Sequence, residues 1–308
     1  MDIVFMGTPE FAVPCLERLI TDGHNVKGVF TQPDKPKGRG HKMQFPPVKE
    51  CAVSAGIPVF QPTKMRDGEA LSIIKELNPE LIIVVAYGKI LPKEILDFPK
   101  YGCVNMHASV LPRYRGAAPI QWCVLNGEKM SGVTAMQMDV GLDTGDMLLT
   151  KTVEIGENET AGELHDKLSV LGAQVMSETI ELIINSSLNP IKQNDSESNY
   201  APMLSKELCP INWNDSASNV HNKVRGLSPW PVATAKWGEK NVKIHKTLLA
   251  GKCYGVPGEV VTSDKKLIVC CGDSTAVEIV TLQLEGKKAM NASDFLRGNP
   301  IKKGTVLG

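Results

Sequence analysis

The stretch Cys103-Val-Asn105-Met-His107-Ala-Ser109-Val-Leu-Pro112-Arg-Tyr-Arg-Gly116 carries the side chains best suited to chemistry. If residues 103–107 form a strand, Asn105 and His107 lie two positions apart and point to the same side of it. At the carboxyl end of a parallel strand, that side faces the crevice in which such sheets bind ligands. An asparagine amide can donate to an oxygen on which negative charge develops without bringing a charge of its own. Imidazole, with an ordinary pKa of about 6.5, moves protons near neutrality. A lone histidine at a strand end is also a common structural residue, and the companion asparagine is what favours a catalytic role.

Such a pair needs a third group to set the imidazole. Asp139-Val-Gly141-Leu-Asp143-Thr-Gly145-Asp146 packs two glycines among three carboxylates, directly after a strand-like segment. An ordinary Asp-Gly turn with solvated acids is the alternative. A calcium loop is not supported, because glycine and glutamate do not fall at EF-hand offsets. A carboxylate beside His107 would hold its orientation and favour its charged form.

The elements that must position these residues read as alternating strands and helices, the pattern of a parallel sheet with crossover helices. Strands are expected at residues 2–6, 25–31, 80–86, 103–107 and 132–138, and helices at 10–21, 68–77 and 116–125. A longer helix begins at Thr160, where Glu163 completes a capping box. The polar run from 186 to 198 reads as an interdomain connection. Beyond it, short β-rich segments at 232–237, 243–249, 258–262, 267–271 and 276–282 predict a small barrel or sandwich. The expected architecture is a Rossmann-like, mostly parallel α/β domain over 1–188, a linker over 189–206 and an OB-like β-barrel domain over 207–308. The first strand-helix turn, Gly7-Thr8-Pro9-Glu10-Phe11, lacks the glycines of a dinucleotide fingerprint and the Lys-Ser/Thr of a phosphate loop.

Composition narrows the class. The 308 residues are 42% hydrophobic and 22% charged, which excludes general disorder. The apolar runs are too short for a membrane span of roughly 20 residues, and the acidic start lacks the features of a secretion signal. A cytoplasmic protein is expected. Eight cysteines without CxxC spacing suggest reduced thiols rather than a zinc site or a disulfide framework, and no metal is expected. The net charge of zero hides an asymmetry: residues 1–206 carry 20 basic and 25 acidic side chains, and the remainder 14 and 9. The two parts could simply attract one another, or the basic part could meet a polyanion.

The run Asn105-Met-His107-Ala-Ser109-Val-Leu-Pro112-Arg-Tyr-Arg-Gly116, together with Asp143-Thr-Gly145, resembles the signature of enzymes that take a formyl group from 10-formyltetrahydrofolate. Gly7-Thr-Pro-Glu-Phe11, Gln32-Pro-Asp-Lys-Pro-Lys-Gly-Arg-Gly40, Tyr200-Ala-Pro-Met-Leu-Ser-Lys206 and Gly226-Leu-Ser-Pro-Trp-Pro231 resemble the branch acting on methionyl-tRNA. Val110 stands where that family usually has leucine, which leaves the pocket apolar. The resemblance implies formyl transfer to the methionine α-amino group of initiator tRNA, with Asn105, His107 and Asp143 catalytic. It also implies that Ser109, Val110, Leu111 and Pro112 line the folate site and that no metal takes part. Arg39 and Lys42, in the basic loop 34–42, would then reach the tRNA, and the second domain would grip its backbone. As a plain sequence feature the same loop is a solvated insertion. A monomer acting on tRNA and folate is expected. Two rivals are a small-molecule formyltransferase, which has no use for a basic second domain, and a noncatalytic RNA-binding protein.

Overall fold

The structure is a computed structural model that describes residues 1–37 and 42–308. The chain divides into two compact units. The first comprises Met1–Gly116, Gly132–Val153 and His165–Tyr200, and the second Ala117–Ser131, Glu154–Leu164 and Ala201–Gly308.

In the first unit a seven-stranded sheet is built from β1 (Asp2–Gly7), β2 (Asn25–Phe30), β3 (Val59–Phe60), β4 (Leu81–Val85), β5 (Cys103–His107), β6 (Met130–Gln137) and β7 (Met147–Glu154). Its order is β7-β6-β5-β4-β1-β2-β3. The pairs β1–β2, β1–β4, β2–β3 and β4–β5 are parallel, and β5–β6 is antiparallel. Every residue of β4 is buried, as its unbroken Leu-Ile-Ile-Val-Val run demands of a strand covered on both faces.

Crossover helices cover the sheet: α1 (Val13–Thr21), α2 (Pro47–Ser54) and α3 (Glu69–Leu77). Val4, Met6, Phe30, Ala70, Ile74, Ile82, Val84 and Cys103 form one core cluster. The row that begins apolar at Cys103 continues as Asn105 and His107, so the site residues extend a core-facing row past the end of its core. The next side chain, Met106, faces the long helix; a Cβ on Gly172 of that helix would lie 3.3 Å from its Cγ.

The long helix spans Ala161–Ile184 and opens with the expected capping box: the Thr160 hydroxyl accepts from the Glu163 amide at 3.2 Å, and the Glu163 carboxylate accepts from the Thr160 amide at 2.8 Å.

The second unit holds an antiparallel sheet of β8 (Ala233–Trp237), β9 (Lys240–Lys252), β10 (Val260–Thr262), β11 (Leu267–Cys270) and β12 (Thr275–Leu284), in the order β8-β9-β12-β11-β10, with β13 (Met290–Asn291) paired to β12. Val242, Ile244, Leu267, Val269, Val277, Ile279 and Phe295 fill its core. The strand expected at 243–249 runs much further, because register shifts let β9 bend while keeping its partner β12. Helices Ala217–Gly226 and Ala292–Gly298 and strand β7 went unforeseen. The first is short and rich in polar residues, and β7 lacks a clean alternation of buried and exposed residues.

One expectation about the cysteines is corrected. Cys253 and Cys270 form a disulfide, with Cα atoms 5.7 Å apart. Their separation of 17 residues carries no pairing signal in the sequence, and the folded sheet is what brings them together. The other six cysteines form no disulfide among the described residues.

Candidate active site

Strand β5 holds the first two candidate residues. Asn105 lies in register between Val84 of β4 and Met136 of β6, and His107 lies beside Thr134. Asn105 is half-buried, and among the described residues its amide makes no hydrogen bond. His107 is only 6% exposed. Its Nε2 sits 2.9 Å from the Tyr114 carbonyl oxygen. A carbonyl only accepts, so Nε2 carries the proton and Nδ1 is left for the site. Tyr114 itself has a positive φ of 60°, and its N–H donates to Asn199 Oδ1 at 2.5 Å.

The Asp139–Asp146 loop brings in the third residue. Asp143 Oδ2 stands 3.7 Å from His107 Nδ1, an ion-pair distance rather than a hydrogen bond. The same oxygen accepts the Gly116 N–H at 2.9 Å. The imidazole is therefore oriented by the Tyr114 carbonyl, with the Asp143 carboxylate beside its other nitrogen. Asp139 turns away into its own loop, accepting from the Gly141 N–H and the Thr144 hydroxyl. The glycine at 145 is required by space: a Cβ there would lie 1.7 Å from the Gln137 carbonyl oxygen.

Between these groups runs the segment Ser109-Val-Leu-Pro112. The Ser109 hydroxyl donates to the Arg113 carbonyl at 2.6 Å, and Thr134 Oγ1 accepts the Leu111 N–H and donates to the Ser109 carbonyl. Ser109 and Leu111 are buried by these bonds and shape the loop, whereas Val110 and Pro112 remain half-exposed. Gly132 leaves room for Val110, since a Cβ there would come within 2.9 Å of Val110 Cγ2.

The basic loop begins as a hairpin in which Lys35–Lys37 pairs with Lys42–Gln44. Arg39 lies outside the described residues, and Lys42 is described only as a strand residue of that hairpin. At the hairpin's base, the Asp34 carboxylate accepts from Lys49 Nζ at 2.7 Å and from Gln61 Nε2 at 2.8 Å. The Lys49 and Gln61 bonds hold the Asp34 carboxyl below its usual range.

Sequence reasoning missed four contributors: the Tyr114 carbonyl, the Gly116 N–H, and the Gln193 and Asn199 side chains. The first two are backbone groups, which residue type does not reveal. Gln193 and Asn199 belong to the polar segment expected to be a linker, and nothing in the sequence marks them off from their neighbours. Among the described residues no group of three or more His, Cys, Asp or Glu could hold a metal ion.

A formyl transferase family model matches residues 1–180, and a formyl transferase C-terminal domain model matches 203–300. The methionyl-tRNA formyltransferase of Alkaliphilus oremlandii is 53% identical over 309 residues, covering 100% of both chains. That of Clostridium novyi is 50% identical over 310 residues, with the same coverage. The fold is shared with an N-formyltransferase from Helicobacter canadensis at TM-score 0.70 and 22% identity, covering 90% of this chain and 98% of that one. It is shared too with HypX of Aquifex aeolicus in complex with tetrahydrofolic acid, at TM-score 0.63 and 18% identity, covering 99% of this chain and 50% of that one. With both family models matched and relatives half-identical over its full length, the chain belongs to the formyl transferase family, in its methionyl-tRNA formyltransferase branch.

Proposed function

We propose that Asn105, His107 and Asp143 carry the reaction of this enzyme, transfer of the formyl group of 10-formyltetrahydrofolate to the methionine α-amino group of initiator methionyl-tRNA. The folate supplies the formyl carbon on N10. As the neutral amine attacks that carbon, negative charge gathers on the formyl oxygen, and the Asn105 amide, free of other partners among the described residues, donates to it. With Nε2–H committed to Tyr114, His107 works through Nδ1, which gives or takes a proton in the site. Asp143, 3.7 Å from that nitrogen, steadies positive charge on the ring and relays through water the proton that the amine sheds and N10 receives.

In the same reading Ser109, Val110, Leu111 and Pro112 line the folate site, with Val110 and Pro112 offering apolar surface and Ser109 and Leu111 holding the loop's shape. Arg39 and Lys42 meet the tRNA. The division into a catalytic part over 1–188, a linker over 189–206 and a tRNA-binding part over 207–308 belongs to this proposal, as do action as a monomer and a cytoplasmic location. None of the described helices is long and apolar enough to cross a membrane.

The observation that carries the reading is the pairing of Asn105 and His107 on one side of β5 with a carboxylate 3.7 Å from the ring. The test is formylation of charged initiator tRNA with 10-formyltetrahydrofolate, charged elongator tRNA serving as control. Turnover of the initiator alone is expected. Equal turnover of both would remove the initiator-specific reading.

A further inference from the structure

We infer that Gln193, together with Arg115, is a positioning pair that holds the Asp143 carboxylate against His107. The inference rests on the catalytic role proposed for Asp143. Gln193 is 7% exposed although Lys192 and Asn194 on either side are exposed. Both ends of its side-chain amide are used. Nε2 donates to the Asp143 carbonyl at 2.9 Å and to the Gly145 carbonyl at 2.7 Å. Oε1 accepts from Arg115 Nε at 3.0 Å and from Arg115 Nη2 at 2.8 Å, and Nη2 also reaches Asp195 Oδ1 at 2.8 Å. Arg115 is followed by Gly116, whose N–H holds the Asp143 carboxylate. Asp143 is thus gripped at its carbonyl by Gln193 and at its carboxylate by Gly116, and Arg115 ties the two grips together.

The loop needs such a grip. Asp143 has a φ of 54°, a left-handed conformation that a non-glycine residue keeps only where its surroundings impose it. The chain that brings Gln193 in is itself registered two residues earlier, where Ile191 and Met147 exchange backbone hydrogen bonds of 2.8 Å. Burying a glutamine amide is unfavourable unless its polar atoms are satisfied, and here they are satisfied by the loop that carries the carboxylate.

The test compares Gln193→Met, Gln193→Glu, Arg115→Lys and Asp143→Asn in the full-length enzyme, with kcat, KM for each substrate and the pH profile of kcat as readouts. Gln193→Met keeps the bulk and removes the bonds. It should lower kcat by about 10- to 100-fold, since a misplacement of roughly 1 Å can cost that much, and should shift the pH profile while leaving both KM values near parental. Gln193→Glu can still accept from Arg115 but cannot donate to the two carbonyls, so it should not rescue; it also serves if the methionine variant fails to fold. Arg115→Lys should show a smaller loss of the same kind. Because Gln193 acts through Asp143, the methionine change should cost much less in an Asp143→Asn background. Parental kcat and pH profile in both Gln193 variants, with Asp143→Asn impaired, would overturn the positioning role and leave the catalytic reading standing. An equal loss in both backgrounds would also overturn it. Near-parental kcat in Asp143→Asn would instead remove the catalytic reading and this inference with it.

Discussion

Oδ2 of Asp143 faces Nδ1 of His107 across 3.7 Å while accepting the Gly116 N–H at 2.9 Å. The carboxylate is therefore anchored by backbone and stands across a gap from the ring. Asp143→Asn should keep the anchor, because asparagine retains an acceptor and tolerates the left-handed φ of 54°. Only the charge is lost. A fall in kcat of about 100-fold or more is expected, with Tm close to parental, as read by steady-state kinetics and thermal unfolding.

Asn105→Ala removes the amide proposed to meet the formyl oxygen. Loss of a single oxyanion donor costs on the order of 100- to 1000-fold in rate. The loss should fall on kcat, because the interaction strengthens as charge develops. His107→Ala should be at least as damaging, and near-parental kcat/KM in either variant would remove that residue from the mechanism.

Gly145→Ala should disable the enzyme although no charged or polar side chain changes. The added Cβ would fall 1.7 Å from the Gln137 carbonyl oxygen, so the loop that carries Asp143 must move. A kcat loss comparable with that of Asp143→Asn is expected, together with a lower Tm. An active Gly145→Ala enzyme would show that the loop relaxes without disturbing Asp143.

The basic groups should separate by kind. Arg39→Ala is expected to lower productive use of tRNA while folate binding is unchanged. Lys240 and Lys243 on β9 are exposed side chains of the second unit. Replacing each by alanine should weaken tRNA binding and reduce the slope of log K against log salt by about 0.7 to 0.9 for every phosphate that is no longer neutralised. Filter binding across a salt series distinguishes these outcomes, and an unchanged slope would withdraw phosphate binding from those lysines.

Stability should fall in mild acid through His221. Burial pushes its imidazole below the ordinary 6.5, and its nitrogens lie 2.9 Å from Thr247 Oγ1 and 3.1 Å from the Glu157 carbonyl. The unfolded chain takes up a proton near 6.5 that the folded chain resists. The contribution is thus intact above that pH and lost as pH falls through the lower folded value. Tm should drop as pH falls below about 6.5, and His221→Gln, which cannot take up that proton, should flatten the drop. His24, also lowered by burial, adds in the same direction.

Local chemistry in the sequence determined much of this protein. The unbroken, β-branched-rich run at Leu81–Val85 suits a strand covered on both faces, and Thr160 with Glu163 starts a helix through bonds between near neighbours. The two-residue spacing of Asn105 and His107 sets them on one side of β5, because side-chain alternation is a property of the strand itself. Other features depend on residues far apart in the chain. Neither the Tyr114 carbonyl nor the Gly116 N–H can be seen in residue types, since every residue but proline carries both groups. Gln193 reads as one more polar residue in a loop, and only the fold brings its amide to Asp143, 50 positions away. The pairing of Cys253 with Cys270 likewise follows from the sheet. Partners separated along the chain are chosen by packing and by the need to satisfy buried polar groups, and those are decided only when the whole fold closes.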